Sequence, residues 1–395
     1  MVLFTKNSCK HFLSCGGCFF SQDNYSKQLE IKQSYITNLF ADLIENFSEI
    51  YPIIPSPQIT ETRNKMEFSF YETLTQKGLG LMAKGKPRKI IPLEECLLID
   101  QEMFSYLKAT QDWWNLTQIE AFFPPKNIGF LCSLTIRKSQ KTQETMIILT
   151  TMAPNEKYNK ETVLSLCDYL INNKLIPNSF IWNIKYASKG SVTQFDQKCL
   201  LGNNFITEQL KLSSKHIGNF TIYPDSFFQP NTLQAENILK TILKFGNPNK
   251  TDTLLDLYCG VGSIGIMLSQ FFQYVLGVEI IPSAVKSAKE NILRNHINNM
   301  QVILDDVKNI HKYLKSFPNT VVVDPPRCGL HPKVKEILIK FLPKKIIYIS
   351  CNPKTQYLDI TFLLKNYFIK KIQPIDQFPH SNHLENVVLL EQRTS

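Results

Sequence analysis

Ten residues near the start of the chain, CKHFLSCGGC, bring together Cys9, Cys15 and Cys18, a histidine, and the pair Gly16-Gly17. The Cys-x5-Cys-x2-Cys spacing, with glycines that let backbone amides turn tightly around a bound centre, suits thiolate ligation. A disulfide staple is not needed, because a chain of 395 residues can bury a full core. Three thiolates leave a four-coordinate centre one ligand short.

A second constellation lies in the C-terminal half. In LLDLYCGVGSIGIML the turn Gly260-Val261-Gly262 closes a hydrophobic strand and opens a helix, with Asp256 just before it. Ligands of open α/β sheets bind at that edge. The next strand, YVLGVE, ends on Glu279, where a carboxylate can accept hydrogen bonds from ribose hydroxyls. A glycine turn alone is a weak signal, since any tight strand-helix connection uses one. The third glycine of the dinucleotide fingerprint is absent, however, and Asp256 suits the sulfonium or amino group of S-adenosylmethionine better than a pyrophosphate. Two more strand ends carry reactive groups: VVVDPPRCGLHP with Asp324 at its tip, and IIYISCNPKTQ with Cys351 at its tip. A thiol there is either a buried structural cysteine or a nucleophile beside a methyl donor. The second case suggests covalent catalysis on uracil, whose carbon 5 accepts a methyl group only after a thiolate has added to carbon 6. Near the C-terminus, DQFPHSNHLENVVLLE offers Glu385, with His380 and His383 close by, as a base for the carbon 5 proton. A lone glutamate at a strand start is ordinarily solvated surface.

The elements that must position these groups are readable from periodicity. Leu29, Tyr35, Ile36, Leu39, Phe40, Leu43 and Ile44 fall at helical spacing over residues 27–47, and Pro52, Pro55 and Pro57 end that segment. From Ile59 to about Tyr223 short strands dominate, interrupted by helices near 100–120 and 160–173, which is an α+β pattern. Beyond Asp225 strands and helices alternate, predicting a mostly parallel, doubly wound sheet. The division expected is 1–222 and 223–395, with helix 27–47 free to pack on the second part. Trp113-Trp114, on a helix, reads as core. Cys132, Cys167 and Cys199 read as small hydrophobes. No apolar run reaches the roughly 20 residues of a membrane span, so a cytoplasmic protein without membrane association is expected. Forty-four Lys+Arg against 34 Asp+Glu, a net charge of +10, favours a polyanionic partner.

Taken in order, SFFQPNTLQAE, LDLYCGVG, DPPRCGLHP, ISCNPKT and FPHSNHLENVVLLE closely resemble the RNA uracil-5-methyltransferase family. The resemblance implies a Rossmann-like class I methyltransferase domain at the C-terminus. It makes Cys351 the nucleophile and Glu385 the base, with Gln229, Gly260, Gly262, Glu279 and Asp324 lining the pocket for S-adenosylmethionine and the target base. Arg327 would be structural or a phosphate contact; Cys259 and Cys328 receive no role. A subset of the family that acts on ribosomal RNA carries an iron-sulfur cluster on Cys-x5-Cys-x2-Cys and a distant cysteine, here Cys96 in KIIPLEECLLID. That implies a [4Fe-4S] cluster on an N-terminal α+β RNA-binding domain, structural zinc being the alternative for four thiolates. It also implies 23S rRNA as substrate, at a loop or bulge uridine, with tRNA uridine-5 methylation as the alternative and the enzyme acting as a monomer. The small β-barrel that opens many such relatives has no counterpart in this sequence. RNA contact is therefore expected from TRNKMEFSF, with Arg63, Asn64 and Lys65 interleaved with Phe68 and Phe70, and from the charges of AKGKPRK. A non-catalytic RNA-binding protein of this fold would be expected to lose Cys351 or Glu385. Adenine methylation fits poorly, because Arg327 stands where an aromatic ring would stack; cytosine-5 methylation is opposed only by the order of the motifs.

Overall fold

Strands buried on both faces read as continuous apolar runs, and four of them, TLLDL, YVLGVE, TVVV and KIIYIS, build the centre of one sheet. The computed structural model describes residues 9–21, 24–73, 77–187, 193–314 and 318–393, the side chains of Pro87 and Arg88 excepted. The chain forms two compact units, Met1–Asp23 with Gln58–Glu208, and Asn24–Pro57 with Gln209–Ser395.

The second unit holds an eight-stranded sheet in the order Glu49–Ile50, Tyr367–Ile375, Glu385–Gln392, Lys345–Ser350, Thr320–Val323, Thr253–Leu257, Tyr274–Glu279, Met300–Leu304. The last five are mutually parallel; Glu385–Gln392 runs antiparallel to both its neighbours. Strand order reverses between Thr253–Leu257 and Thr320–Val323, so a crevice opens beyond their carboxyl ends, the position where such sheets bind ligands. Helices Thr232–Gly246, Ser263–Leu268, Pro282–Arg294, Pro332–Phe341 and Pro353–Leu363 complete the fold, three of them entered through a proline at the first turn, whose missing N–H costs nothing there. Val321, Val323, Ile346 and Tyr348 lie in the core with no exposed surface.

The helix expected over 27–47 runs Tyr25–Phe40, capped by Asn24, whose side chain accepts from Lys27 N. It belongs to this second unit: Ile36 and Phe40 join its core, and Phe40 meets Tyr357 edge-on at 6.0 Å. The boundary also differs from the 222/223 division read from the sequence. It falls between Glu208 and Gln209, inside the strand Ile206–Ser213, so a single element crosses from one unit to the other.

The first unit is a seven-stranded sheet in the order Lys86–Pro92, Lys77–Ala83, Lys65–Glu72, Leu131–Lys138, Thr145–Met152, Ser179–Tyr186, Gln194–Gly202. Only the Thr145–Met152/Ser179–Tyr186 pair is parallel, joined through helix Lys160–Asn172 as a parallel pair requires. Trp113 and Trp114, on helix Gln101–Asn115, are core residues, and Trp114 lies edge-on to Phe70 at 5.0 Å.

Candidate active site

The turn after Thr253–Leu257 needs backbone that L side chains rarely adopt: Tyr258, Gly260 and Gly262 have φ of 63°, 55° and 82°. Two carboxylates hold it. Asp256 Oδ2 accepts from Gly265 N at 3.0 Å, and Glu279 Oε2 accepts from Gly260 N at 3.1 Å while its Oε1 accepts from Ile280 N and Ile281 N, both at 2.8 Å. Asp256 is 1% exposed, and burial pushes its carboxyl up to about 8. It ties the strand end to the first turn of the helix that follows the loop. Beside the turn is an open pocket of about 580 Å³ lined by Phe227, Phe228, Gln229, Tyr258, Gly260, Val261 and Asp324 among others. Gln229 Oε1 accepts from Gln377 Nε2 at 3.0 Å.

The candidate nucleophile is placed by an adjacent strand. Ser350 pairs with Asn386 across antiparallel strands, which sets Cys351 beside Glu385. The chain then turns into helix Pro353–Leu363, and Asn352 Nδ2 and Thr355 Oγ1 both donate to the carbonyl of Arg327, at 3.0 and 3.2 Å. This ties the Pro-Pro-Arg loop to the cysteine turn. Arg327 Nη2 donates to His383 Nδ1 at 3.1 Å, and its guanidinium hydrogen-bonds the Cys351 thiol. Desolvation raises the thiol pKa, as do the charges of Glu385 and Asp324; Arg327 opposes them, and the net direction is upward. Glu385 is 3% exposed, with Oε2 buried and making no hydrogen bond. Burial, then Asp324, raise its pKa well above the ordinary carboxylate range, again against Arg327. Asp324, part-exposed at the pocket wall, is likewise raised by desolvation.

Cys351, Glu385, Asp324 and Arg327 therefore act on one another as a single electrostatic unit. Arg327 lies beside the thiol, a contact its position in the motif did not announce. His380 stands apart from them, fully buried with its ring nitrogen against Gln28. Cys259 is buried under the turn against Gly277, where an added Cβ would lie 2.9 Å from its sulfur. Among the cysteines read as small hydrophobes, Cys167 is in the core, whereas Cys199 is exposed on the edge strand.

In the first unit Cys9, Cys15, Cys18 and Cys96 line one open pocket of about 320 Å³, together with His11, Phe12 and Glu95 among others. The loop is joined to the hairpin Lys77–Pro92 by a bridge between Cys15 and Ala83, with Gly16 N donating to Met82 O at 2.9 Å and Lys84 N to Ser14 O at 2.8 Å. Gly17 N donates to Cys15 Sγ at 3.3 Å, and the backbone amides of His11, and of Leu98 and Ile99, bond the sulfurs of Cys9 and Cys96. Such N–H donors favour thiolates. Without a cation, burial and mutual repulsion push Cys18 up to about 12 and Cys96 up to about 11. Among the described residues no group of three or more His, Cys, Asp or Glu side chains is arranged to hold a metal ion, so the thiols share a pocket without closing on a single-ion geometry.

The surface expected from TRNKMEFSF is corrected. Phe68 and Phe70 are buried in the core, Asn64 is 4% exposed, and half-buried Arg63 lends its charge to Cys18. The exposed cations of this region are Lys84, Lys86 and Lys89; the side chain of Arg88 lies outside the described residues.

The model of the tRNA (uracil-5-)-methyltransferase family matches residues 24–393. The chain belongs to that family. It is an RNA methyltransferase, of a family of S-adenosylmethionine-dependent RNA uracil-5-methyltransferases. A protein of Chlamydia pneumoniae named an uncharacterized RNA methyltransferase is 44% identical over 396 residues, covering 98% of each chain. One of Clostridium tetani, of the same description, is 37% identical over 391 residues, covering 98% of this chain and 84% of its own. The crystal structure of the Pyrococcus abyssi tRNA (uracil-54, C5)-methyltransferase in complex with S-adenosyl-L-homocysteine has a TM-score of 0.74 at 28% identity, over 93% of this chain and 83% of that one. The matched family region begins after Cys9, Cys15 and Cys18.

Alkylation of Cys351 should report this electrostatic balance. Its rate, followed on the Cys351 peptide by mass spectrometry, is expected to rise only at alkaline pH, because the thiol pKa is raised. Arg327→Ala should move the rise to higher pH and Glu385→Gln to lower pH; equal profiles in all three proteins would refute the coupling.

Proposed function

We propose that this enzyme methylates carbon 5 of a uridine in 23S rRNA through a covalent adduct on Cys351. The observation that carries the reading is that Cys351 and Glu385 each lie one residue beyond the Ser350–Asn386 pair of adjacent strands and act on each other's charge, with Asp324 and Arg327 acting on both. Bound in the pocket at Gly260–Gly262, S-adenosylmethionine supplies an electrophilic methyl group. Arg327 stabilises the Cys351 thiolate, which adds to carbon 6 of the uracil and moves the ring electron pair toward carbon 5. Carbon 5 takes the methyl group as its bond to the sulfonium sulfur breaks, and S-adenosyl-L-homocysteine is the leaving group. Glu385 then removes the carbon 5 proton, the double bond re-forms, and the thiolate leaves. Arg327 opposes the burial that favours the protonated carboxyl, and the ionised, buried carboxylate is a strong base for that proton. The uridine must leave its stack to be reached, so a loop or bulge is the expected context.

Cys351→Ala should form no covalent RNA adduct. Glu385→Gln should methylate once and stall, giving on denaturing gels an RNA-protein band that carries labelled methyl and depends on S-adenosylmethionine. Turnover of Glu385→Gln at the wild-type rate would remove Glu385 from this role.

The first unit is proposed to bind RNA through Lys84, Lys86 and Lys89, and to carry a [4Fe-4S] cluster on Cys9, Cys15, Cys18 and Cys96. Four thiols on one pocket, with backbone N–H groups on three of them, fit such a group. A cluster is wider than one ion, in keeping with thiols that share a pocket without single-ion geometry. Anaerobically purified protein should contain iron and acid-labile sulfide, and lose both in Cys15→Ser. Stoichiometric zinc without iron would overturn the cluster.

The cysteine set is what favours 23S rRNA, by resemblance to the cluster-bearing branch. A tRNA substrate is the second reading, supported by the family's description and by the name of the Pyrococcus abyssi enzyme. Mapping 5-methyluridine in both RNAs from cells with and without the gene decides between them. The protein is proposed to act as a monomer in the cytoplasm; among the described residues no helix is long and apolar enough to cross a membrane.

A further inference from the structure

Glu385 opens a strand whose pairing with Tyr367–Ile375 ends on Ile375↔Glu385. The loop between the strands, Asp376–Leu384, is unusually polar for its depth: Asp376 and His380 have no exposed surface, and Gln377 is 1% exposed. Buried polar groups need partners, and much of what this loop needs comes from one face of the helix Tyr25–Phe40. Lys32 Nζ donates to Asp376 Oδ1 at 2.5 Å and to Phe378 O at 3.0 Å; Tyr25 OH donates to Asp376 Oδ2 at 2.6 Å. Gln28 Oε1 accepts from His380 N at 3.0 Å, and Gln28 Nε2 donates to His380 Nδ1 at 3.1 Å. His380 has φ 65°, a left-handed conformation costly for a residue with a Cβ. Two bonds from one glutamine hold it there.

A buried ion pair is weak grounds for stability, since apolar replacements of similar volume are often neutral or better. What this pair and its neighbours fix is geometry. The clamped loop begins next to Ile375, the register partner of Glu385, and its Gln377 bonds Gln229 at the pocket wall. Cys351 is held differently, by the Ser350–Asn352 turn and the bonds to the Arg327 carbonyl.

We propose that Gln28 and Lys32 are positioning residues for Glu385: the helix clamps the loop so that the carboxyl is aimed at carbon 5 when the proton must be removed. The inference rests on the reading of Glu385 as the base. It follows that loosening the clamp slows the step after methyl transfer more than the formation of the adduct.

The test is Gln28→Ala in the full-length enzyme, which removes both bonds to His380 without stranding a charge. Turnover is expected to fall by about ten-fold or more. Affinity for S-adenosyl-L-homocysteine and the rate of adduct formation should stay within about two-fold of wild type, and methylated covalent adduct should accumulate. Lys32→Met with Asp376→Leu, which exchanges the ion pair for apolar contact, should fold and accumulate the same adduct. Equal losses in cofactor affinity, adduct formation and turnover would reduce the helix to scaffold and overturn the proposal, as would unchanged turnover. With Glu385→Gln run in parallel, adduct in that variant but in neither clamp variant overturns the clamp alone. Wild-type turnover by Glu385→Gln overturns the base assignment and the proposal with it.

Discussion

The guanidinium of Arg327 acts on Cys351 and Glu385 at once, lowering the pKa of each against a burial that raises both. Desolvation alone would leave a neutral thiol and a neutral carboxyl, neither of use for addition or proton removal. The cation must therefore be held in place, and several bonds contribute to that. Its carbonyl takes donors from Asn352 and Thr355, and its side chain meets His383. The loop behind it is anchored by Asp359, which accepts from Leu330 N, Lys335 Nζ and Tyr348 OH at 2.7–2.8 Å. Gly329 is the residue that lets this carboxylate approach, since a Cβ there would lie 2.5 Å from Asp359 Oδ2.

The crevice itself was legible in the sequence because it follows from strand ends. Parallel strands covered on both faces need unbroken apolar runs, so Asp256, Glu279, Asp324 and Cys351 are conspicuous where those runs stop. What each group does there was less legible. Asp256 and Glu279 occupy similar places in the sequence, yet Glu279 accepts from the glycine turn itself and Asp256, buried, from the helix that follows it. Phe68 and Phe70 were misread because an alternation of aromatic and charged residues describes a half-buried strand as well as it describes a nucleic-acid platform. The strand Lys65–Glu72 alternates, and the face carrying the two rings packs on the core, Phe70 against Trp114.

The helix at 25–40 shows the same limit at the level of domains. Its apolar positions announce an amphipathic helix, but its buried polar residues, Gln28 and Lys32, look in the sequence like a solvated face. The loop at Asp376–His380, some 350 positions away, explains them. The chain leaves the second unit after Pro57 and returns at Gln209, and nothing in local composition marks a segment as belonging to a sheet built so much later.

The two sets of thiols make opposite use of the same physics. At Cys351, burial is countered by a fixed guanidinium, so the thiol remains part of a protein-made charge balance. At Cys9, Cys15, Cys18 and Cys96, burial and like-charge repulsion push in one direction, and among the causes acting on Cys18 Arg63 alone opposes them. Four adjacent thiols raised together are an unstable set of thiolates unless positive charge enters the pocket, and binding that releases their protons couples the centre to folding. Cys15 is bridged to Ala83 while Cys96 follows the next strand. A centre held by all four would therefore fix the N-terminal loop against the hairpin Lys77–Pro92, which carries the exposed Lys84, Lys86 and Lys89, and its work would be to hold that cationic surface in one shape rather than to take part in the chemistry at Cys351.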